Sequence, residues 1–148
     1  MALALMFSKG IRGLSDIFPL YCILSLIALA PAFLLHEFAH KFVARYYGCW
    51  AEFRADPAGL RFGIILAAIT GIVFMAPGAV MVAGKTTRSQ FGKIAVAGPL
   101  TNVFLWSLGF MALFVIGGLG RLVEDNANFV DITVGIWTWG NAILAAFN

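Results

Sequence analysis

Charge is scarce in this 148-residue chain: 11% of its residues are Asp, Glu, Lys or Arg, against about 25% in ordinary soluble domains. Four stretches, Ile17–Leu35, Phe62–Gly84, Ile94–Gly120 and Ile132–Asn148, carry none at all. Each reaches or approaches the roughly 20 residues that a membrane-spanning helix needs. No soluble domain of any size fits between them, so residues 1–148 read as one integral membrane domain. Cysteine is also rare: Cys22 falls in the first apolar run and Cys49 follows it, without a motif. That excludes a disulfide framework or a cysteine-rich metal site, and free thiols are expected. There is no phosphate-binding loop and no Ser-His-Asp arrangement. The apolar residues 2–7 precede Lys9 and Arg12, the reverse of the order in a cleaved signal peptide, so an interfacial N-terminal segment is expected. A net charge of +3 is read as basic residues at the edges of spans, not as a nucleic-acid surface.

Histidine occurs twice, and both copies lie in His36-Glu37-Phe38-Ala39-His40 at the end of the first apolar run. On a helix, residues i and i+4 share a face. His36 and His40 can therefore offer two imidazole nitrogens to one zinc ion at about 2.0–2.1 Å. Glu37 is the residue that serves in this motif as general base toward a zinc-activated water. A Glu and two His near bilayer depth are costly, which favours a functional reading over interfacial histidines bonded to lipid phosphate. A catalytic zinc site needs a third protein ligand and an open position. No third histidine exists, and the carboxylates Asp16, Glu52, Asp56, Glu124, Asp125 and Asp131 all fall outside an apolar span at the depth of His36. The third ligand is expected outside residues 1–148.

The fold expected is all-α and polytopic, with about three core transmembrane helices plus a re-entrant or short β-containing segment. The first helix should be kinked by Pro31 and end near Gly48, with a short strand over Ala51–Arg54 and a β-prone run over Ala79–Ala83 after Pro77-Gly78. Gly98-Pro99 reads as a helix start near the beginning of the Ile94–Gly118 span. Lys41, Arg45, Arg54 and Arg61 mark one basic connection, and Lys85, Arg88 and Lys93 another. Both lie on the cytoplasmic side only if Phe62–Gly84 crosses the membrane an even number of times, as a re-entrant hairpin would. A single full crossing is the alternative.

Three features resemble the site-2 protease family of intramembrane zinc metalloproteases. The first is His36–His40 on a long apolar helix, followed by Lys41 and Arg45-Tyr46-Tyr47-Gly48. The second is Ala97-Gly98-Pro99-Leu100-Thr101-Asn102, similar to the family's Gly-Pro-x-x-Asn element. The third is Asn141–Asn148, which resembles the approach to the Asn-x-x-Pro-x-x-x-Leu-Asp-Gly motif, with Asn148 as its first residue. The resemblance covers residues from about 17 onward. It implies a zinc endopeptidase cutting membrane-spanning substrates near the cytoplasmic side of, by default, a prokaryotic plasma membrane, with the Asp of Leu-Asp-Gly as third ligand. It also implies an edge strand that pairs with substrate, and substrate-binding or oxyanion roles for Asn102 and Asn148. For Asn102 an interhelical hydrogen bond is the competing reading. A non-catalytic scaffold or chaperone of the same family, and a metal transporter using His36, Glu37 and His40 as a transit site, are the rival functions.

Overall fold

The computed structural model describes residues 18–70, 78–124 and 126–146. Asp16, the N-terminal segment, Pro77, Asp125 and Asn148 lie outside the described residues. Among the described residues, five helices and two strands follow one another: α1 (Phe18–Tyr46), β1 (Trp50–Ala55), α2 (Pro57–Thr70), β2 (Gly78–Ala83), α3 (Arg88–Val115), α4 (Gly118–Val123) and α5 (Phe129–Ala146). Among the described residues, α1, α3 and α5 contain stretches long and apolar enough to cross a membrane. The 18 residues of α5 span about 27 Å at 1.5 Å per residue, close to a hydrocarbon core of about 30 Å.

These three helices bury Leu24, Leu29, Leu105, Leu113 and Ile136 between them yet also expose many large apolar side chains. Leu26, Phe42, Phe114 and Val115 point outward, whereas the buried positions include Ala28, Ala32, Ala44, Gly98, Gly109, Gly135 and Gly140 with Asn102, Asn141 and Thr138. In lipid there is no hydrophobic gain in hiding Leu or Phe, so small residues that let backbones approach, and polar groups that bond across helices, join the buried leucines in holding the bundle. Gly109 faces Thr138 Oγ1 and Trp137, where a Cβ would come within 2.5 Å and 2.7 Å. Trp137 Nε1 donates to the Leu105 carbonyl at 3.0 Å. Trp137 is thus a packing residue between α5 and α3.

The helix ends follow local chemistry. Gly48 adopts φ +76°, and Cys49 N–H bonds the Ala44 carbonyl while Gly48 N–H bonds that of Arg45; this is a Schellman stop, as the glycine predicts. Asp56 caps α2 by accepting from Ala58 N–H at 3.0 Å, with Pro57 in the first helical position, where it is tolerated. The start of α3 corrects the sequence reading. Thr87 accepts from Gln90 N–H and Gln90 Oε1 accepts from Thr87 N–H, a capping box that begins the helix at Arg88. Gly98-Pro99 therefore lies well inside α3 and does not start it. At the opposite end of the bundle, Arg121 donates to both Asp131 oxygens at 2.7 Å and to the Ile116 carbonyl at 2.9 Å. It ties the end of α3 to the first turn of α5, and the Asp131 carboxylate holds the guanidinium above its ordinary pKa range.

β1 and β2 pair antiparallel from Trp50↔Ala83 to Ala55↔Gly78. Gly84 lies against Cys49, where a Cβ would sit 3.1 Å from Sγ. The chain thus leaves at Cys49 and returns to it at Gly84, which places both residues at the same end of the bundle. The ribbon folds back along α1: Phe53 meets Phe33 with ring centroids 5.9 Å apart. Val80 and Val82 pack on a cluster of Ala44, Cys49, Ala51 and Ile94, and a second cluster joins Leu24, Ala28, Leu29 and Ile136.

Candidate metal centre

His36 and His40 face α3. Their Nε2 atoms lie 3.1 Å apart. Two nitrogens bound tetrahedrally to one zinc at 2.0–2.1 Å would be about 3.3 Å apart, so the pair is already at ligand spacing. Each ring is oriented from its other nitrogen. His40 Nδ1 donates to the Ile94 carbonyl at 2.7 Å, and His36 Nδ1 meets Asn102 Oδ1. A carbonyl partner at Nδ1 is the arrangement that metal-binding imidazoles use to fix ring and tautomer. The two imidazoles therefore fit two of zinc's ligand positions. His36 is 1% exposed and Glu37 5%, so both are held by protein.

Gly98 supplies the room. A Cβ there would overlap Nε2 of both histidines, so the helix wall opposite the pair must be glycine. In the sequence Gly98 reads as a helix-start signal and as part of the Gly-Pro-x-x-Asn element. What it does on the mid-helix wall becomes visible only once α1 and α3 are docked.

Consecutive helix residues point about 100° apart, so Glu37 faces another neighbour, the ribbon. Its Oε2 accepts from Val80 N–H at 3.1 Å. Because that N–H points away from β1, Phe53↔Val80 is a non-hydrogen-bonded pair of the ladder. By alternation, the backbone groups of Gly78, Val80 and Val82 all face the outer edge of β2. The edge beside Glu37 is thus the one that lacks a strand partner among the described residues.

Asn102 is fully buried and occupied in interhelical bonds: Oδ1 to His36, and Nδ2 to Asn141 Oδ1 at 2.7 Å. Asn141, also fully buried, enters the sequence reading only as the first residue of the Asn141–Asn148 stretch. Asp56 is turned outward at its cap, Glu52 and Glu124 are exposed, and Asp131 sits with Arg121 at the far end of the bundle. Among the described residues no group of three His, Cys, Asp or Glu side chains converges as a metal site.

A family model for Peptidase family M50 matches residues 24–148. A protein of Methanocaldococcus jannaschii whose name describes it as a putative zinc metalloprotease is 48% identical over 94 residues, which cover 63% of this chain and 49% of that protein. The chain thus spans about half the length of the curated relative it matches. No solved structure matches it. The matched span runs from the second turn of α1 past the last described residue of α5 and so takes in both histidines, the ribbon and the amide pair. On that coverage the chain belongs to Peptidase family M50, the site-2 protease family.

Proposed function

We propose that this protein is an intramembrane zinc endopeptidase that hydrolyses peptide bonds of membrane-spanning substrates. The observation that carries the reading is the convergence of the His36 and His40 Nε2 atoms at 3.1 Å beside the buried Glu37. His36 and His40 would hold the zinc, with a carboxylate following α5 as third ligand. The register of the helices supports that direction of approach. His40 and Ile94 meet six residues from the shared end of α1 and α3, and Asn141 near the end of α5 reaches Asn102. α5 therefore runs parallel to α1 and heads toward the histidines.

When bound, zinc supplies an acidified water and a polarised carbonyl. The chain's own residues do the rest. Glu37 takes a proton from the attacking water and returns it to the leaving amine, while Val80 N–H holds one carboxylate oxygen in place. A transmembrane helix hides its peptide bonds, and once unwound its backbone groups need partners. The outer edge of β2 offers them by strand addition, next to Glu37. Lys41, Arg45, Lys85, Arg88 and Lys93 gather at the end of the bundle nearer the histidines, which supports a cytoplasmic orientation of the site, in a prokaryotic plasma membrane. Cleavage there would release the cytoplasmic part of a substrate, as regulated intramembrane proteolysis requires.

The test uses purified protein, a zinc assay by mass spectrometry, and a probe transmembrane peptide with a Gly-Pro break at the site's depth. Glu37→Gln is expected to keep the zinc and stop cleavage. Unchanged cleavage by that variant would refute the mechanism, and zinc retained by His36→Ala/His40→Ala would refute the metal assignment.

A further inference from the structure

We infer that Asn141 is a positioning residue for His36, setting through Asn102 which ring nitrogen carries the proton. The purpose of this device rests on the zinc reading above; the device itself is set by hydrogen bonds. The Trp137 carbonyl can only accept, and Asn141 Nδ2 donates to it at 2.8 Å. Asn141 therefore turns its Oδ1 toward α3, where it accepts from Asn102 Nδ2 at 2.7 Å. Asn102 in turn presents Oδ1, and only Oδ1, to His36 Nδ1. An acceptor at that position places the ring proton on Nδ1 and the lone pair of the neutral ring on Nε2, the atom that faces His40.

His40 reaches the same state more directly, because its Nδ1 bonds a backbone carbonyl, that of Ile94. Each histidine is thus set by a main-chain carbonyl, one in contact and one relayed through two amides. The relay is needed because an amide side chain is ambiguous: turned by 180°, Asn102 would offer Nδ2 to His36 and drive its proton to Nε2. Asn102 and Asn141 are both fully buried, so bulk water cannot take over Asn141's role. The same three groups join α1, α3 and α5, so the tautomer of His36 reports that all three helices are docked.

The chain has two histidines, so ring-15N-labelled, metal-free protein in bicelles at a pH where both rings are neutral gives a simple long-range 1H–15N spectrum. Wild type is expected to show the Nδ1–H form for both rings. Asn141→Leu is expected to move His36, and not His40, to a mixed or Nε2–H form. Asn141→Thr serves if the leucine variant does not fold. Its hydroxyl can bond the Trp137 carbonyl as Thr138 bonds that of Val134, yet falls short of Asn102, and it should also release His36. Asn141→Asp, neutral when buried, offers an O–H to Trp137 and an oxygen to Asn102 and should retain the wild-type form. A purely structural role would not separate His36 from His40, nor aspartate from threonine. An unaltered Nδ1–H signal for His36 in the leucine or threonine variant would overturn the inference. Zinc titration of the same samples tests the other reading: the variants that release His36 should bind about 10- to 100-fold more weakly. Absence of zinc binding by wild type would sink the proposed metal function, while the tautomer result would stand or fall on its own.

Discussion

The backbone N–H of Val80 donates to Oε2 of Glu37 across 43 residues of sequence, at 3.1 Å. A β-strand and a membrane helix are joined at the side chain proposed as general base. Val80→Pro removes this donor without breaking the ladder to β1, since Val80 N–H points outward. We expect cleavage of a transmembrane peptide to fall at least tenfold with zinc content unchanged. Val82→Pro removes the next outward N–H, which does not touch Glu37, and should impair cleavage beyond the effect of Val82→Ala, which loses the same packing on Ala44 and Ile94 but keeps the N–H. Full activity of Val82→Pro would rule out strand addition at this edge.

Gly98 and Gly92 form a matched pair in α3. Gly98→Ala puts a methyl group into both Nε2 atoms, whereas a Cβ at Gly92 has nothing within 4 Å. Zinc affinity of Gly98→Ala is expected to drop more than tenfold. Gly92→Ala should keep the affinity and raise stability by roughly 0.5–1 kcal/mol, the gain of alanine over glycine in a helix. Equal zinc affinities in the two variants would contradict the assigned wall.

The closed course from Cys49 to Gly84 has a topological consequence. Cysteines introduced at Arg45 and Lys85, in a background without Cys22 and Cys49, should label from the same side of the membrane, and one at Glu124 from the other. Labelling of Arg45 and Lys85 positions from opposite sides would be incompatible with the observed register.

At the far end, Asp131 is fully buried against Arg121 and also accepts from Asn128 N–H. Asp131→Asn leaves the guanidinium without its carboxylate and weakens the junction of α3 and α5. Its melting temperature in detergent is expected to fall further than that of Glu124→Gln, a change at an exposed position. A smaller fall for Asp131→Asn would show the pair to be incidental.

Much of this was legible in the sequence, for reasons that differ by residue. His36, Glu37 and His40 are readable because helical spacing alone puts the imidazoles together. The stop at Gly48 is readable because αL backbone favours glycine. The true start of α3 was not read from hydropathy, which marks where a helix enters lipid and not where its hydrogen bonding begins; the Thr87–Gln90 box carried that signal. Gly98 and Asn141 gain their meaning from a partner on another helix. No local pattern in α3 or α5 can show that a glycine lines an imidazole pair or that two amides are in contact. The two strands were expected, but their register was not, because 22 intervening residues separate Ala55 from Gly78 and strand pairing at that distance is set by packing on Ala44 and Ile94.

The neighbouring ends of the ribbon, Cys49 and Gly84, also decide where this protein can change. The strands are fixed to α1 and α3 through Phe53, Val80 and Val82, whereas the segment between Ala55 and Gly78 starts and ends at the ribbon's far end, so residues there can be lengthened or replaced without shifting α1 against α3. The spacing of the two imidazoles is insulated from that variation, so this segment can diverge while the His36–His40 frame is inherited unchanged.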